Sequence, residues 1–322
     1  MILGVSLVNG MTFPVAARDR MCVNLKTRQP LNSRTVFEQD GMMEEHIFDT
    51  GVTAINYAEG PPSGPPLVLL HGGASSWRSF LTVMPSLVHN WHIYAPDFRG
   101  HGRSGHVPTA YRWTDFVQDT TAFLRHHFSE PVILWGSSFG GTVALGTAAQ
   151  ASETVRALVL EDAWLDLQTD KDEIRQFLRR RRDLVTSIRS LDEMIASLTS
   201  EPVTLPGRDE SVQRGILEED AEIRLEAETL MQLDPEVYTF GLDGRLAEGY
   251  DMDTVLEKVT CPVLFLQADP ALGGLVDNEL AGRAMSLLSQ GTLVSIPGAQ
   301  HAVLQSQPET AMRAVNTFLE SL

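Results

Sequence analysis

The pentapeptide Gly136-Ser137-Ser138-Phe139-Gly140 follows the apolar run Pro131-Val132-Ile133-Leu134-Trp135 and precedes the small-residue run Gly141-Thr142-Val143-Ala144-Leu145. That succession predicts a strand, a sharp turn and a helix. A serine at the apex of such a turn projects its hydroxyl from the sheet edge above the amides of a helix N-terminus, and glycines two residues to either side relieve crowding around the bent backbone. Ser138 is therefore the candidate nucleophile, whereas Ser137 lacks the glycine spacing. A serine hydroxyl attacks a carbonyl only when a base removes its proton, and the tetrahedral intermediate needs hydrogen-bond donors aimed at its oxyanion.

Positioning such groups requires a sheet. From residue 43 onward, short β-like runs recur at Glu45–Thr50, Thr53–Ala58, Leu67–Leu70, Trp91–Ala95, Val132–Trp135, Ala157–Leu160, Val263–Gln267 and Thr292–Ile296. The later runs are continuously apolar and separated by helix-compatible segments, the pattern of a mostly parallel sheet covered on both faces. Only Thr50-Gly51-Val52 separates the first two, so the sheet is expected to begin with an antiparallel pair. The stretch from Trp164 to Lys258 is rich in charge and helix formers and far longer than the other connections, which predicts an inserted helical cap. The expected division is an N-terminal extension at 1–42, a core at 43–163 and 251–322, and a cap at 164–250.

Four motifs in this order resemble the α/β-hydrolase superfamily. Leu67-Val68-Leu69-Leu70-His71-Gly72-Gly73 is similar to its third strand and oxyanion loop, and Asp97-Phe98-Arg99-Gly100-His101-Gly102-Arg103-Ser104 to the turn after the fourth strand. The elbow at Ser138 follows the fifth strand, and Pro297-Gly298-Ala299-Gln300-His301 resembles the loop that carries the catalytic histidine. The resemblance implies an α/β-hydrolase fold, an eight-stranded mostly parallel sheet flanked by helices with an inserted helical cap. It also implies His301 as the base and the backbone amides of Gly73 and Phe139 as the oxyanion hole. His71 is expected to support the oxyanion loop, and the Asp97–Ser104 turn to be structural.

The acid is where the chain departs from the common pattern. Many relatives end the seventh strand with a glycine, two variable residues and an aspartate; here the run is Gln267-Ala268-Asp269-Pro270-Ala271-Leu272, with alanine at the expected place. Asp269 is the expected acid because it sits at the strand's carboxyl end before a proline. Asp162, after the sixth strand where some relatives carry the acid, is the first alternative and Asp277 the second. Trp77 and Trp164 are candidates for an apolar substrate pocket.

Composition narrows the partners. The chain of 322 residues carries 25 Lys plus Arg against 42 Asp plus Glu, a formal charge of −17, which repels nucleic acid and anionic membranes. No apolar stretch is long enough to span a bilayer. Two distant cysteines, Cys22 and Cys261, form neither a disulfide framework nor a metal cluster, and no secretory signal is evident, so a cytoplasmic location is expected. The extension at 1–42 is a candidate for an oligomer contact.

The expected activity is cofactor-independent and metal-independent hydrolysis of a small-molecule ester or lactone through an acyl-enzyme. The same groups serve amidases, cofactor-free perhydrolases and hydrolases of carbon–carbon bonds, and a pocket without turnover would make a ligand receptor. A carboxylate-bearing dienoate substrate would call for an arginine such as Arg78 or Arg175 directed at Ser138. A receptor would leave the Nδ1 side of His301 without a carboxylate.

Overall fold

The computed structural model describes residues 42–167, 172–204 and 211–322. The N-terminal extension, apart from Met42, and Cys22 lie outside the described residues. Among those described, the strands in chain order are β1 (Glu44–Asp49), β2 (Ala54–Glu59), β3 (Pro66–Leu70), β4 (His92–Pro96), β5 (Val132–Ser137), β6 (Val155–Glu161), β7 (Pro202–Thr204), β8 (Ser211–Gln213), β9 (Val263–Gln267) and β10 (Gly291–Ser295). The helices are α1 (Met84–Leu87), α2 (Trp113–His127), α3 (Phe139–Gln150), α4 (Asp172–Ser187), α5 (Leu191–Ser200), α6 (Asp220–Gln232), α7 (Glu236–Leu242), α8 (Met252–Lys258), α9 (Asn278–Leu287), α10 (Val303–Ser306) and α11 (Pro308–Glu320).

Eight strands form one sheet in the order β1-β2-β4-β3-β5-β6-β9-β10. The β1/β2 and β2/β4 pairs are antiparallel and the remaining neighbours parallel. This is an α/β-hydrolase fold, with the eight strands at the places the apolar runs indicate. Strand alternation divides the core in two. Val68, Leu70, Leu134, Leu158, Leu160 and Phe265 belong to the cluster on one face. Leu67, Leu69, Ile133, Trp135, Val159 and Leu266 belong to that on the other. Double coverage explains why β3, β5, β6 and β9 read as unbroken apolar runs. β10 departs from that expectation, for most of its residues are exposed; it is an edge strand paired only with β9.

Two features of this topology prepare a site. The chain turns in opposite directions from β3, with β4 on one side and β5 on the other, and a crevice opens beyond the carboxyl ends of strands at such a reversal. Between β6 and β9 the described chain forms α4 to α8 and a separate β7-β8 ribbon. This segment is tied to the core: Tyr111 Oη donates to Asp234 Oδ2 at 2.6 Å, the Asp234 amide donates to the Gly100 carbonyl at 2.8 Å, and Tyr250 Oη donates to the Thr142 carbonyl at 2.6 Å. Among the described residues no helix is long and apolar enough to cross a membrane.

Candidate active site

Ser138 lies between β5 and α3 with φ 51° and ψ −115°, outside the regions a side-chain-bearing residue prefers. Strain of this kind costs about 1–3 kcal/mol and persists only where the surroundings enforce it. They do so here. The Ser138 amide donates to the Glu161 carbonyl at 2.8 Å, and the Ser138 carbonyl accepts from the Gly141 amide at 3.0 Å and the Trp164 amide at 3.3 Å. The flanking glycines are needed for close approach: a Cβ on Gly136 would lie 2.4 Å from the Gly140 carbonyl oxygen, and one on Gly140 would lie 2.1 Å from that of Leu70.

The loop after β3 runs alongside. A Cβ on Gly72 would stand 3.7 Å from Ser138 Cβ, and one on Gly73 would stand 3.6 Å from Phe139 Cβ. The two residues expected to supply the oxyanion hole are therefore neighbours. His71 fixes the loop from beneath: its Nε2 accepts from the Phe98 amide at 3.0 Å, so Nδ1 carries the proton and donates to the Gly72 carbonyl at 2.7 Å. Burial lowers the His71 pKa to about 4, against which the Gly72 hydrogen bond works only partly, so the ring is neutral and unsuited to act as a base near neutrality. In the next turn, buried Asp97 accepts from the amides of Trp77 and Arg103 and from Asn56 Nδ2. Arg99 forms a buried ion pair with Asp119 at 2.5 Å. These are structural contacts.

His301 lies after β10, in the loop that leads into α10. Its Nδ1 is 2.7 Å from Asp162 Oδ2, so the Nδ1 proton is directed at a fully buried carboxylate. The same Oδ2 accepts from the Leu275 amide at 2.8 Å, and Asp162 holds φ 40° at the end of β6. Asp269, the acid expected from the sequence, is occupied elsewhere. Its Oδ1 accepts from the Ala271 amide at 3.0 Å, and its Oδ2 accepts from the Gly298 amide at 3.2 Å. It caps its own short turn and tethers the beginning of the His301 loop. Asp277 accepts from the Leu280 amide as the N-cap of α9. The structure thus corrects the assignment: the carboxylate beside His301 is Asp162.

Trp77 is a second correction. It is 1% exposed, packs in the core cluster with Phe80 and Leu81, and donates its indole N–H to Glu45 Oε1 at 2.9 Å, which makes it part of the interior and not a pocket wall. Trp164 is partly exposed and meets Trp113 edge to face at 5.9 Å, while Trp113 lies 4.1 Å from the Phe139 ring. An aromatic group therefore adjoins the elbow. Arg175 donates to the Leu242 carbonyl at 2.8 Å, and the Arg78 guanidinium lies 4.8 Å from the centre of the Trp77 ring.

Sequence reasoning missed Glu161. Only 2% exposed, it precedes Asp162 and accepts from the Leu304 amide at 2.8 Å. Burial pushes its pKa above the usual carboxylate range, opposed by the hydrogen bonds from Leu304 and the Ser137 hydroxyl. The available signal was an acidic pair ending an apolar strand, where a charge must find partners.

Comparison with known proteins agrees with this fold. The chain is 26% identical over 281 residues to 2-(acetamidomethylene)succinate hydrolase of Mesorhizobium japonicum, covering 85% of this chain and 94% of that protein. It is 25% identical to an sn-1-specific diacylglycerol lipase of Mus musculus over 82% of this chain and 84% of the lipase. A crystal structure of E-2-(acetamidomethylene)succinate hydrolase superimposes with a TM-score of 0.68 at 24% identity, covering 86% of this chain and 99% of the other, a likeness of fold. The model of the alpha/beta hydrolase family matches residues 67–315, which span the β3 loop, the elbow, Asp162 and His301, and the chain belongs to that family.

Proposed function

We propose that this protein is a serine hydrolase that cleaves a small carboxylic ester or lactone through an acyl-enzyme. Ser138 Oγ attacks the carbonyl carbon while His301 takes the hydroxyl proton. The oxyanion is held by the amides of Gly73 and Phe139, and collapse of the tetrahedral intermediate breaks the bond to the alkoxy oxygen, which leaves with the proton from His301. Water then attacks the acyl-enzyme, giving its proton to His301, and the acid departs with Ser138 regenerated. Asp162 holds the imidazole with Nδ1–H toward the carboxylate and stabilises the imidazolium. Trp164 and the inserted segment between β6 and β9 form the substrate side as a cap. The chemistry calls for no metal or organic cofactor.

The observation that carries this reading is the 2.7 Å His301–Asp162 contact, its carboxylate one residue after the Glu161 carbonyl that holds the amide of the strained Ser138. The carboxylate at His301 Nδ1 argues against a ligand receptor without turnover. A second reading, hydrolysis of an amide, is favoured by the relative named for hydrolysis of 2-(acetamidomethylene)succinate, which aligns over 94% of its own length. The test is fluorophosphonate labelling together with turnover of short and medium p-nitrophenyl esters, a lactone and an N-acetyl enamide. Labelling and turnover that both disappear in Ser138→Ala support the mechanism, and the ratio of ester to enamide kcat/KM chooses between substrates. A wild-type protein that neither labels nor turns over any of them refutes it.

A further inference from the structure

Glu161 is a buried acid that the proposed chemistry does not use, and its contacts converge on that chemistry. Its main-chain carbonyl accepts from the Ser138 amide at 2.8 Å. Its side-chain Oε1 accepts from the Leu304 amide at 2.8 Å, one turn beyond His301. Ser137 and Glu161 are paired in the β5/β6 ladder, which places the nucleophile and Asp162 next in register. One residue thus touches the serine turn, the histidine loop and, through the peptide bond, the acid.

We propose that Glu161 is a positioning residue that sets the reach of His301 between Ser138 and Asp162. Acidic side chains tie the backbone of the histidine loop on either side of His301. At its beginning Asp269 Oδ2 accepts from the Gly298 amide at 3.2 Å, while the Asp269 amide donates to the Ala299 carbonyl at 2.9 Å. Beyond His301, Glu161 holds Leu304 at the start of α10. Within the loop, the Gln300 amide donates to Ser306 Oγ at 3.0 Å and the Val303 amide to the His301 carbonyl at 3.0 Å, bonds that shape the loop and α10 but do not anchor them to β6. Replacing Glu161 with an apolar side chain leaves a buried amide without an acceptor, and the loop moves to satisfy it. A displacement of about 1 Å at a catalytic group costs on the order of a hundredfold in rate. The tie is a hydrogen bond to a backbone N–H, which a carboxylate, a carboxylic acid or an amide can each accept, so glutamine serves in place of glutamate.

This inference rests on the serine-hydrolase reading for its kinetics but not for its spectroscopy. The experiment compares wild type, Glu161→Gln, Glu161→Met and Asp162→Asn. It records kcat and KM for the best ester, melting temperature, and the low-field proton resonance of His301 Nδ1. Glu161→Gln is expected to keep kcat within about threefold and to retain the resonance; Glu161→Met is expected to lose on the order of a hundredfold in kcat with KM little changed. The Glu161→Met resonance should weaken or shift while the protein still melts cooperatively, and Asp162→Asn should abolish the resonance. Should Glu161→Met keep the wild-type resonance and kcat, the proposal falls. It falls equally if Glu161→Gln is as impaired as Glu161→Met, since charge and not the tie would then matter. If Glu161→Met does not fold, Glu161→Gln alone decides, by retention or loss of both readouts. If wild type shows the resonance but hydrolyses nothing, the proposed function has failed while the loop geometry is still tested by the spectra.

Discussion

Asp162 and Asp269 are both aspartates at the carboxyl ends of neighbouring strands, and they differ in what already occupies their oxygens. Asp269 spends one oxygen on the Ala271 amide and the other on the Gly298 amide. Asp162 turns Oδ2 to His301. Removing the charge that orients the imidazole costs about 10⁴ in turnover when the neutral replacement favours the wrong tautomer. Asp162→Asn is accordingly expected to lower kcat by several orders of magnitude with substrate binding preserved. Asp269→Asn keeps an acceptor for one of its two amides and should retain most of the activity. Steady-state kinetics of the two variants side by side make the check, and the reverse order of damage would return the role to Asp269. The residue types at the site were legible: serine, histidine and the two loop glycines are marked by local spacing. The acid was not, because position along the chain fixes which strand end a carboxylate occupies but not which amide reaches it first. Glu161 was hidden for the same reason, since its partner amide lies at Leu304, far along the chain.

At the level of elements, the β5-turn-α3 unit works because two segments approach more closely than a methyl group allows. A Cβ on Gly140 would meet the carbonyl oxygens of Leu70 at 2.1 Å and His71 at 2.6 Å. Both are backbone atoms of the β3 end, so no side-chain rotation can relieve the clash. Gly140→Ala is expected to cost several kcal/mol, and chemical denaturation should show a large fall in midpoint with an unchanged slope. Gly244 offers a control of the opposite kind: a Cβ there meets nothing within 4 Å, and only its φ of 72° penalises alanine. Strands β3, β5, β6 and β9 were legible because strands covered on both faces are apolar throughout. The β7-β8 ribbon was not, because strands of three residues carry no periodic signal.

For the whole molecule, the balance of buried titratable groups sets the response to acid. Burial lowers the His71 pKa to about 4 and the His101 pKa to about 3, below the ordinary histidine value. Between pH 6.5 and these values the unfolded chain binds protons that the folded chain refuses, so stability is full above the unfolded pKa and is lost as pH falls. Each such histidine contributes a slope of about 1.4 kcal/mol per pH unit in that window. Buried Glu161 and Asp97 are shifted upward, so their contribution has the opposite sign and is lost as pH rises through the carboxylate range. Comparison of variants separates the two. His101→Gln should flatten the dependence of unfolding free energy on pH between about 6.5 and 4 by close to one proton. An unchanged slope in urea titrations at several pH values would contradict it.

Placement of the carboxylate on β6 has a further consequence for the loop after β9. That loop gives Asp162 only the main-chain N–H of Leu275, and its Gly273 has φ 93° with open space around it. Every amino acid except proline carries a backbone N–H, so position 275 makes no demand for one particular side chain. The acid's second hydrogen bond therefore survives exchange of the Leu275 side chain, a freedom that the side-chain ties of Asp269 and Glu161 do not share.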